Sequence, residues 1–323
     1  MIYVDLPPGR RLLPFYLATE EHVARCKPAG EYFFMWQVEP SVIFGRNQLI
    51  ENEVNLDFCR SHGIAAFRRK SGGGCVYADM GNVMFSYITP SDDVTCTFGR
   101  YLGMVVAMLR TLGVEATATG RNDIMIDGRK VSGNAFYHIA GRSIVHGTML
   151  YDTNMENMAG SITPSTEKLA TKGVKSVSQR IALLKDHTTL SLAEFIGHAR
   201  RELCDTSLEL GEEDVERITA IERQYLTDEF IYGHNPSYNV TRRRRIEGVG
   251  ELEARLEIKN GVIRSVNIVG DYFLVGDIDN RVIAPLRGTR LTREAISAAL
   301  PGRLDDVIAG LGKDDFVALL AGL

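Results

Sequence analysis

One loop limits most sharply what this chain can fold into. It reads Arg68-Arg69-Lys70-Ser71-Gly72-Gly73-Gly74-Cys75-Val76-Tyr77-Ala78-Asp79-Met80-Gly81-Asn82, three cations followed closely by three glycines. Bare glycine backbone lets N–H groups approach an anion, and neighbouring cations neutralise what amides alone cannot. The loop is therefore either a phosphate or nucleotide cradle, or a tight turn between two strands with its cations in water. Val76 and Tyr77 lead into strand-like sequence rather than a helix. Neither G-x-x-x-x-G-K-[ST] nor a helix-opening G-x-G-x-x-G is present, so this is neither of the two common nucleotide loops.

The flanking pattern is α+β. Residues 32–38 and 41–45 read as strands broken at Pro40, and Val83, Phe85 and Tyr87 alternate with Met84, Ser86 and Ile88. Phe98, Leu102, Val105, Val106, Leu109 and Leu112 fall at helical spacing, with Gly113 placed to end the helix. Ser191-Leu192-Ala193-Glu194 forms a capping box ahead of Phe195, Ile196, Ala199 and Leu203. Beyond Asn235-Pro236-Ser237-Tyr238-Asn239 the pattern changes. Leu252, Ala254, Leu256 and Ile258 alternate, Asn260-Gly261 supplies a hairpin turn, and Val262, Val266 and Ile268 resume the period of two. A helix capped by Thr292 carries Ile296, Ala299 and Leu300 on one face. These patterns predict a domain over 1–240 and a small α+β domain over 241–323.

With a net charge of −4 over 323 residues, nothing in the balance calls for nucleic acid or a membrane as partner, so an acidic ligand must be held locally. The five cysteines contain no C-x-x-C pair, and their odd number argues against a disulfide framework. No apolar run reaches the roughly 18 residues of a membrane span, and the first residues lack the pattern of a signal peptide. The expectation is a soluble, cytosolic protein.

A second constellation runs from Gly120-Arg121-Asn122-Asp123 through Asp127-Gly128-Arg129-Lys130 to Gly133-Asn134-Ala135. Asp127-Gly128 is a strong hairpin signal that puts Lys130 just inside the returning strand. A lysine held there can reach a carboxylate and a phosphate together, offsetting the repulsion between an acid and the α-phosphate of ATP; alternatively it is an exposed hairpin lysine. Asn122 and Asp123 either offer oxygens to Mg²⁺ or cap a turn. In His146-Gly147-Thr148 a hydrogen-bonded structural histidine is the commoner reading. The histidines show no zinc spacing.

Taken together these motifs resemble the lipoate–protein ligase A family. The likeness also takes in Leu17-Ala18-Thr19-Glu20-Glu21, residues 40–48, Glu53-Val54-Asn55, Lys172-Gly173-Val174-Lys175-Ser176-Val177 and, near the end, Gly270-Asp271-Tyr272-Phe273. The resemblance implies an α+β catalytic domain of the biotin/lipoate ligase type with mixed sheets, plus a C-terminal accessory domain. It implies that lipoate, or octanoate, reacts with MgATP to give an acyl-adenylate, and that a target lysine then displaces AMP. The expected acceptors are lipoyl domains of 2-oxoacid dehydrogenase acyltransferase subunits and the glycine cleavage H protein.

Carried over residue by residue, Lys130 would be catalytic, bridging the lipoyl carboxyl and the α-phosphate. Arg69, Gly73, Gly74, Cys75, Val76, Tyr77, Asn82, Asn122 and Asp123 would hold ATP and lipoyl-AMP, with Asp123 offered to Mg²⁺. Arg69, Gly133, His146 and Gly147 would hold lipoate, Val76 and Phe85 would flank its tail, and Arg68 and Lys70 would do no more than face water. Cys75, where relatives often have alanine, reads as a packing residue. The run Thr241-Arg242-Arg243-Arg244-Arg245 is more basic than the family leads one to expect; it is either a solvated strand end or a steering surface for an acidic acceptor. Two rivals stand beside the ligase. An ATP-independent acyltransferase of the same fold would need a nucleophilic cysteine after the lysine motif, and none lies between Cys96 and Cys204. A non-catalytic module would bind lipoyl domains or nucleotides through Arg242 to Arg245.

Overall fold

The computed structural model describes residues 1–48, 50–91, 93–119, 122–162, 180–232 and 238–322. The chain packs into two compact units, one of Met1–Phe44, Glu51–Arg69 and Cys75–Ile231, the other of Gly45–Ile50, Lys70–Gly74 and Tyr232–Leu323.

The first unit holds eleven described strands: β1 (Ile2–Asp5), β2 (Tyr32–Trp36), β3 (Ser41–Phe44), β4 (Ala65–Arg68), β5 (Val76–Ala78), β6 (Asn82–Thr89), β7 (Ala116–Ala118), β8 (Asp123–Ile126), β9 (Arg129–Ile139), β10 (Arg142–Leu150) and β11 (Thr206–Glu209). Eight of them form a mixed sheet in the order β11-β1-β2-β6-β10-β9-β8-β7, and the other three a small sheet β4-β3-β5. Register sorts the side chains of the large sheet into two faces, because neighbours along a strand point to opposite sides. His146 pairs with Ser86 and with Ala135, Thr148 with Met84 and with Gly133, and Trp36 with Met84. These residues share one face, on which Phe34, Trp36, Met84, Ile88, Tyr137 and Ile144 form a core with Leu13, Leu17 and Val23 of the helix Leu13–Cys26. Phe85 faces the other way, against Phe33 and Phe195, the latter on the helix Leu192–Leu203.

Local chemistry explains several boundaries. Asp127 (φ 50°) and Gly128 (φ 73°) make the primed turn expected between β8 and β9, with the left-handed φ that Asp tolerates and Gly prefers. Ser191 accepts from the Glu194 N–H while Glu194 accepts from the Ser191 N–H, so the capping box forms as read. The helix Val94–Arg110 is capped by the Asp93 side chain, and the turn beyond it ends in Gly113 at φ 75°.

The second unit is built on β12 (Val240–Ile246), β13 (Gly250–Lys259) and β14 (Val262–Gly270), with Asn260 and Gly261 turning the second hairpin. Leu252, Ala254, Leu256, Ile263, Val266 and Ile268 close on Ile296 and Leu300 and on Phe316 and Leu320 of the helix Lys313–Ala321. Two short loops from earlier in the chain belong to this unit. Arg46 N–H donates to Ser71 O (2.9 Å), Gly270 N–H to Asn47 O (2.7 Å) and Gly73 N–H to Tyr272 O (3.1 Å). A Cβ at Gly72 would lie 2.3 Å from Tyr272 O, so only glycine fits this approach.

Candidate functional site

Lys130 is the second residue of β9, as the hairpin reading places it. Its ammonium lies 2.7 Å from Asp123 Oδ1, and both side chains are largely shielded, 27% and 14% exposed. The geometry depends on the backbone. β8 and β9 pair Ile124 with Ser132 but Met125 with Lys130, so Val131 is an extra residue on β9, a bulge of the kind that re-aims side chains. Gly133 stands opposite Asp123, and a Cβ there would come within 2.5 Å of Lys130 Nζ. The lysine therefore crosses the strand over bare backbone to reach its carboxylate. Asp123 is held in turn by Thr119, whose Oγ1 accepts its N–H (3.1 Å) and whose N–H donates to its carbonyl (2.8 Å).

His146 and Gly133 share this face. The His146 ring nitrogen Nδ1 is 2.9 Å from Glu20 Oε2, and Glu20 is fully buried. Ser86 donates to the same carboxylate (2.5 Å), Tyr137 OH donates to it (3.3 Å), and Trp36 Nε1 donates to Ser86 Oγ. A buried carboxylate needs such partners. Sequence reading assigned no role to Glu20, Ser86 or Trp36. The one signal available for Glu20 was its place in the Leu17–Glu21 stretch that carries the family likeness.

Arg69 follows β4 and Cys75 precedes β5, and both strands flank β3 at the same end of the small sheet. Arg69 is 5% exposed and donates to Ile43 O (2.8 Å). Burial draws its pKa down to about 10, against the opposing fields of Cys75 and Glu53, so the group stays charged at neutral pH. A guanidinium stripped of water in this way is a strong anion ligand. Arg68 does not face water as expected. It is 6% exposed, donates to Ile231 O (2.9 Å) and lies over the Phe44 ring at 4.6 Å.

The remaining expected residues have these settings. Gly147 and Asn122 are packed from the far face of the sheet by Asn134, whose Oδ1 would be 1.8 Å from a Gly147 Cβ. Asn82 is fully buried, with its amide on Thr153 Oγ1 (3.1 Å). Val76 packs on the helix-covered core, while the neighbouring Tyr77 is buried on the other side of its strand, its hydroxyl pKa pushed up to about 12 by burial. Gly73 and Gly74 belong to the second unit, where Tyr272 O takes up the Gly73 N–H that had been expected to meet an anion. Of the run Arg242 to Arg245, which forms part of β12, Arg242 donates to Leu320 O and Arg243 pairs with Glu251. Gly120, Arg121, residues 172–177 and Asn235-Pro236 lie outside the described residues. Among the described residues no group of three His, Cys, Asp or Glu side chains is placed to hold a metal, and no helix is long and apolar enough to cross a membrane.

The lysine–aspartate pair laid over a glycine on a hairpin and the desolvated arginine on a second sheet are each suited to an anionic ligand. Residues 14–204 match the lipoyl protein ligase A/B catalytic domain, and residues 235–320 match the bacterial lipoate protein ligase C-terminus. Lipoate-protein ligase LplJ of Bacillus subtilis is 35% identical over 94% of this chain and 95% of its own. Lipoate–protein ligase 1 of Staphylococcus aureus is 35% identical over 87% and 89%. The chain belongs to the lipoate–protein ligase family. Among solved structures, lipoate-protein ligase A bound with ATP superposes with a TM-score of 0.63 at 26% identity, over 72% of this chain and 98% of that one. A bipartite lipoate protein ligase of Thermoplasma acidophilum, described with its E2 lipoyl domain, gives 0.65 at 28%, over 74% and 98%. A P. falciparum protein in complex with lipoate shares the fold over all of this chain and 98% of its own, with a TM-score of 0.78 at 19% identity.

Proposed function

We propose that this protein is an ATP-dependent lipoate–protein ligase in which Lys130 is the catalytic cation. The observation that carries the reading is the placement of Lys130 over Gly133 against Asp123, within the segment matched by the ligase catalytic domain. In the first step a carboxylate oxygen of lipoate attacks the α-phosphorus of ATP, the bond to the bridging oxygen breaks, and pyrophosphate leaves. In the second, the neutral ε-amine of an acceptor lysine attacks the acyl carbon, AMP leaves, and the amine's proton is lost to solvent. The first step brings two anions together. A fixed ammonium between them lowers that repulsion most where charge is densest, in the transition state.

Arg69 binds the phosphates in this scheme. Asp123, beside Lys130, would be the carboxylate to hold a Mg²⁺ that came with ATP, and the ion would supply further neutralisation of phosphate charge. The acceptors are lipoyl domains of 2-oxoacid dehydrogenase acyltransferase subunits and the glycine cleavage H protein, in keeping with the E2 lipoyl domain described with the Thermoplasma ligase. Octanoate, a carboxylic acid of similar length, is the second substrate.

ATP–pyrophosphate exchange with lipoate and with octanoate tests the reading. Exchange should require one of the acids and fall by two or more orders of magnitude in Lys130→Ala, on the order of what loss of a transition-state charge ligand costs. Added lipoyl domain should gain the mass of a lipoyl group on a lysine. Absence of exchange with every acid would sink the ligase and favour a binding module; transfer from an acyl-carrier thioester without ATP would favour the transferase.

A further inference from the structure

Lys130 and Asp123 lie on one face of the large sheet, and the device that holds them is on the other. Asn134 follows Gly133 in β9, so its side chain points away from the face on which the lysine crosses. It is 3% exposed, and its amide is fully engaged. Nδ2 donates to Asn122 O (3.0 Å) and to Ser132 Oγ (3.1 Å), and Oδ1 accepts from Ser132 Oγ (3.3 Å). The Asn134 N–H also donates to Asn122 O (3.0 Å), and Asn122 Nδ2 returns a bond to Asn134 O (3.1 Å). Three hydrogen bonds thus fasten the residue immediately before Asp123 to the residue immediately after Gly133. Space for the amide comes from the next strand. Gly147 is the cross-strand partner of Asn134, and the place its Cβ would occupy is filled by Asn134 Oδ1.

We propose that Asn134, admitted by Gly147, is a positioning residue that holds Asp123 against Lys130 from the back of the sheet. This rests on the reading of Lys130 as the adenylation cation. It gives Gly147 a role other than ligand contact: any side chain there evicts the amide. A leucine in place of Asn134 would fill the volume but leave the bond to Asn122 O unmade. Sub-ångström control of a charged group is worth this much polar burial, since a displacement of about 1 Å in a reacting constellation can cost roughly a hundredfold in rate.

The test uses the full chain carrying Asn134→Asp, which keeps shape but cannot donate, and Asn134→Ser, which is smaller, each alone and combined with Asp123→Asn. Two readouts are taken beside the melting curve: lipoate-dependent ATP–pyrophosphate exchange, and the rate at which an amine-reactive reagent labels Lys130, followed by mass spectrometry. The expected result is a fall in exchange kcat of ten- to a hundredfold, with the KM for lipoate less changed and Lys130 labelled several-fold faster. In the Asp123→Asn background the Asn134 substitution should add nothing, because both act through one contact. Unchanged labelling in both single variants, or losses that simply multiply in the double variants, would overturn the proposal. Should wild-type protein show no exchange with any acid, the ligase reading fails, while the labelling result still decides whether Asn134 holds the pair.

Discussion

Arg69 and His146 are both buried ionisable groups. Arg69 donates to a backbone carbonyl and its pKa is drawn to about 10 by burial, so its charge is costly to keep where it is. Such a group is at its most useful with an anion beside it. Arg69→Met should raise the KM for ATP and cut kcat/KM for exchange by about two orders of magnitude. Retention of the wild-type KM would remove Arg69 from the phosphate site. Arg69→Lys should rescue little, because an ammonium is more strongly hydrated and lacks the planar fork. His146 is tied instead to Glu20, a carboxylate with no exposure. His146→Ala should destabilise the protein by about 1 to 3 kcal/mol, the usual cost of leaving a buried polar group short of a hydrogen-bond partner. Urea unfolding measures it; a loss under about 1 kcal/mol would mean that Ser86 and Tyr137 suffice. From the residues alone a structural His146 was the commoner reading, while the family resemblance put it at lipoate. Neither could name Glu20 as partner, because the two are brought together only by the sheet.

At the scale of elements, sequence reading succeeded where local chemistry decides. The Asp127-Gly128 and Asn260-Gly261 turns and the caps at Ser191 and Thr292 are all present. It missed the helix Leu13–Cys26, which is buried along nearly its whole length. The reason is physical: Glu20, Glu21 and His22 are inside, so the apolar stripe that betrays an amphipathic helix is interrupted. Those groups are paired with distant elements. His22 and Lys27 both bond Asp214 at 2.7 to 2.8 Å, joining this helix to the helix Glu212–Tyr225. Desolvation acts to raise the pKa of Asp214, but the bonds from Lys27 and His22 prevail and hold it at about 2. With the folded value below that of an unfolded aspartate, near about 3.9, this tie stabilises the protein fully above about pH 4 and is lost as pH falls toward about 2. Asp214→Asn should therefore be less stable than wild type at about pH 6, by no more than about 1 kcal/mol after solvent screening. The gap should narrow at about pH 3. Equal gaps at both pH values, by denaturant unfolding, would mean that the tie is steric and not electrostatic.

For the molecule as a whole, the least readable feature was where the glycine loop belongs. A boundary near residue 240 follows from the change of pattern, yet the second compact unit also takes in Gly45–Ile50 and Lys70–Gly74. Backbone hydrogen bonds make that assignment, and backbone leaves no trace in side-chain periodicity. Gly72 and Gly73 were read as room for an anion; in this structure the room is used by Tyr272 O. Each unit closes on a core of its own, around Phe34 and Trp36 in the first and around Leu252, Phe316 and Tyr272 in the second. Separate cores predict separate melting, so calorimetry should give a calorimetric enthalpy larger than the van't Hoff enthalpy. Gly72→Ala then assigns the transitions. Its added methyl meets a backbone oxygen that cannot rotate aside, a kind of overpacking that costs about 1 to 3 kcal/mol. The substitution should lower one transition by several degrees and leave the other in place, because its clash lies wholly within the second unit. Wild-type melting in a single two-state step, shifted as a whole by Gly72→Ala, would show instead that the two cores unfold as one.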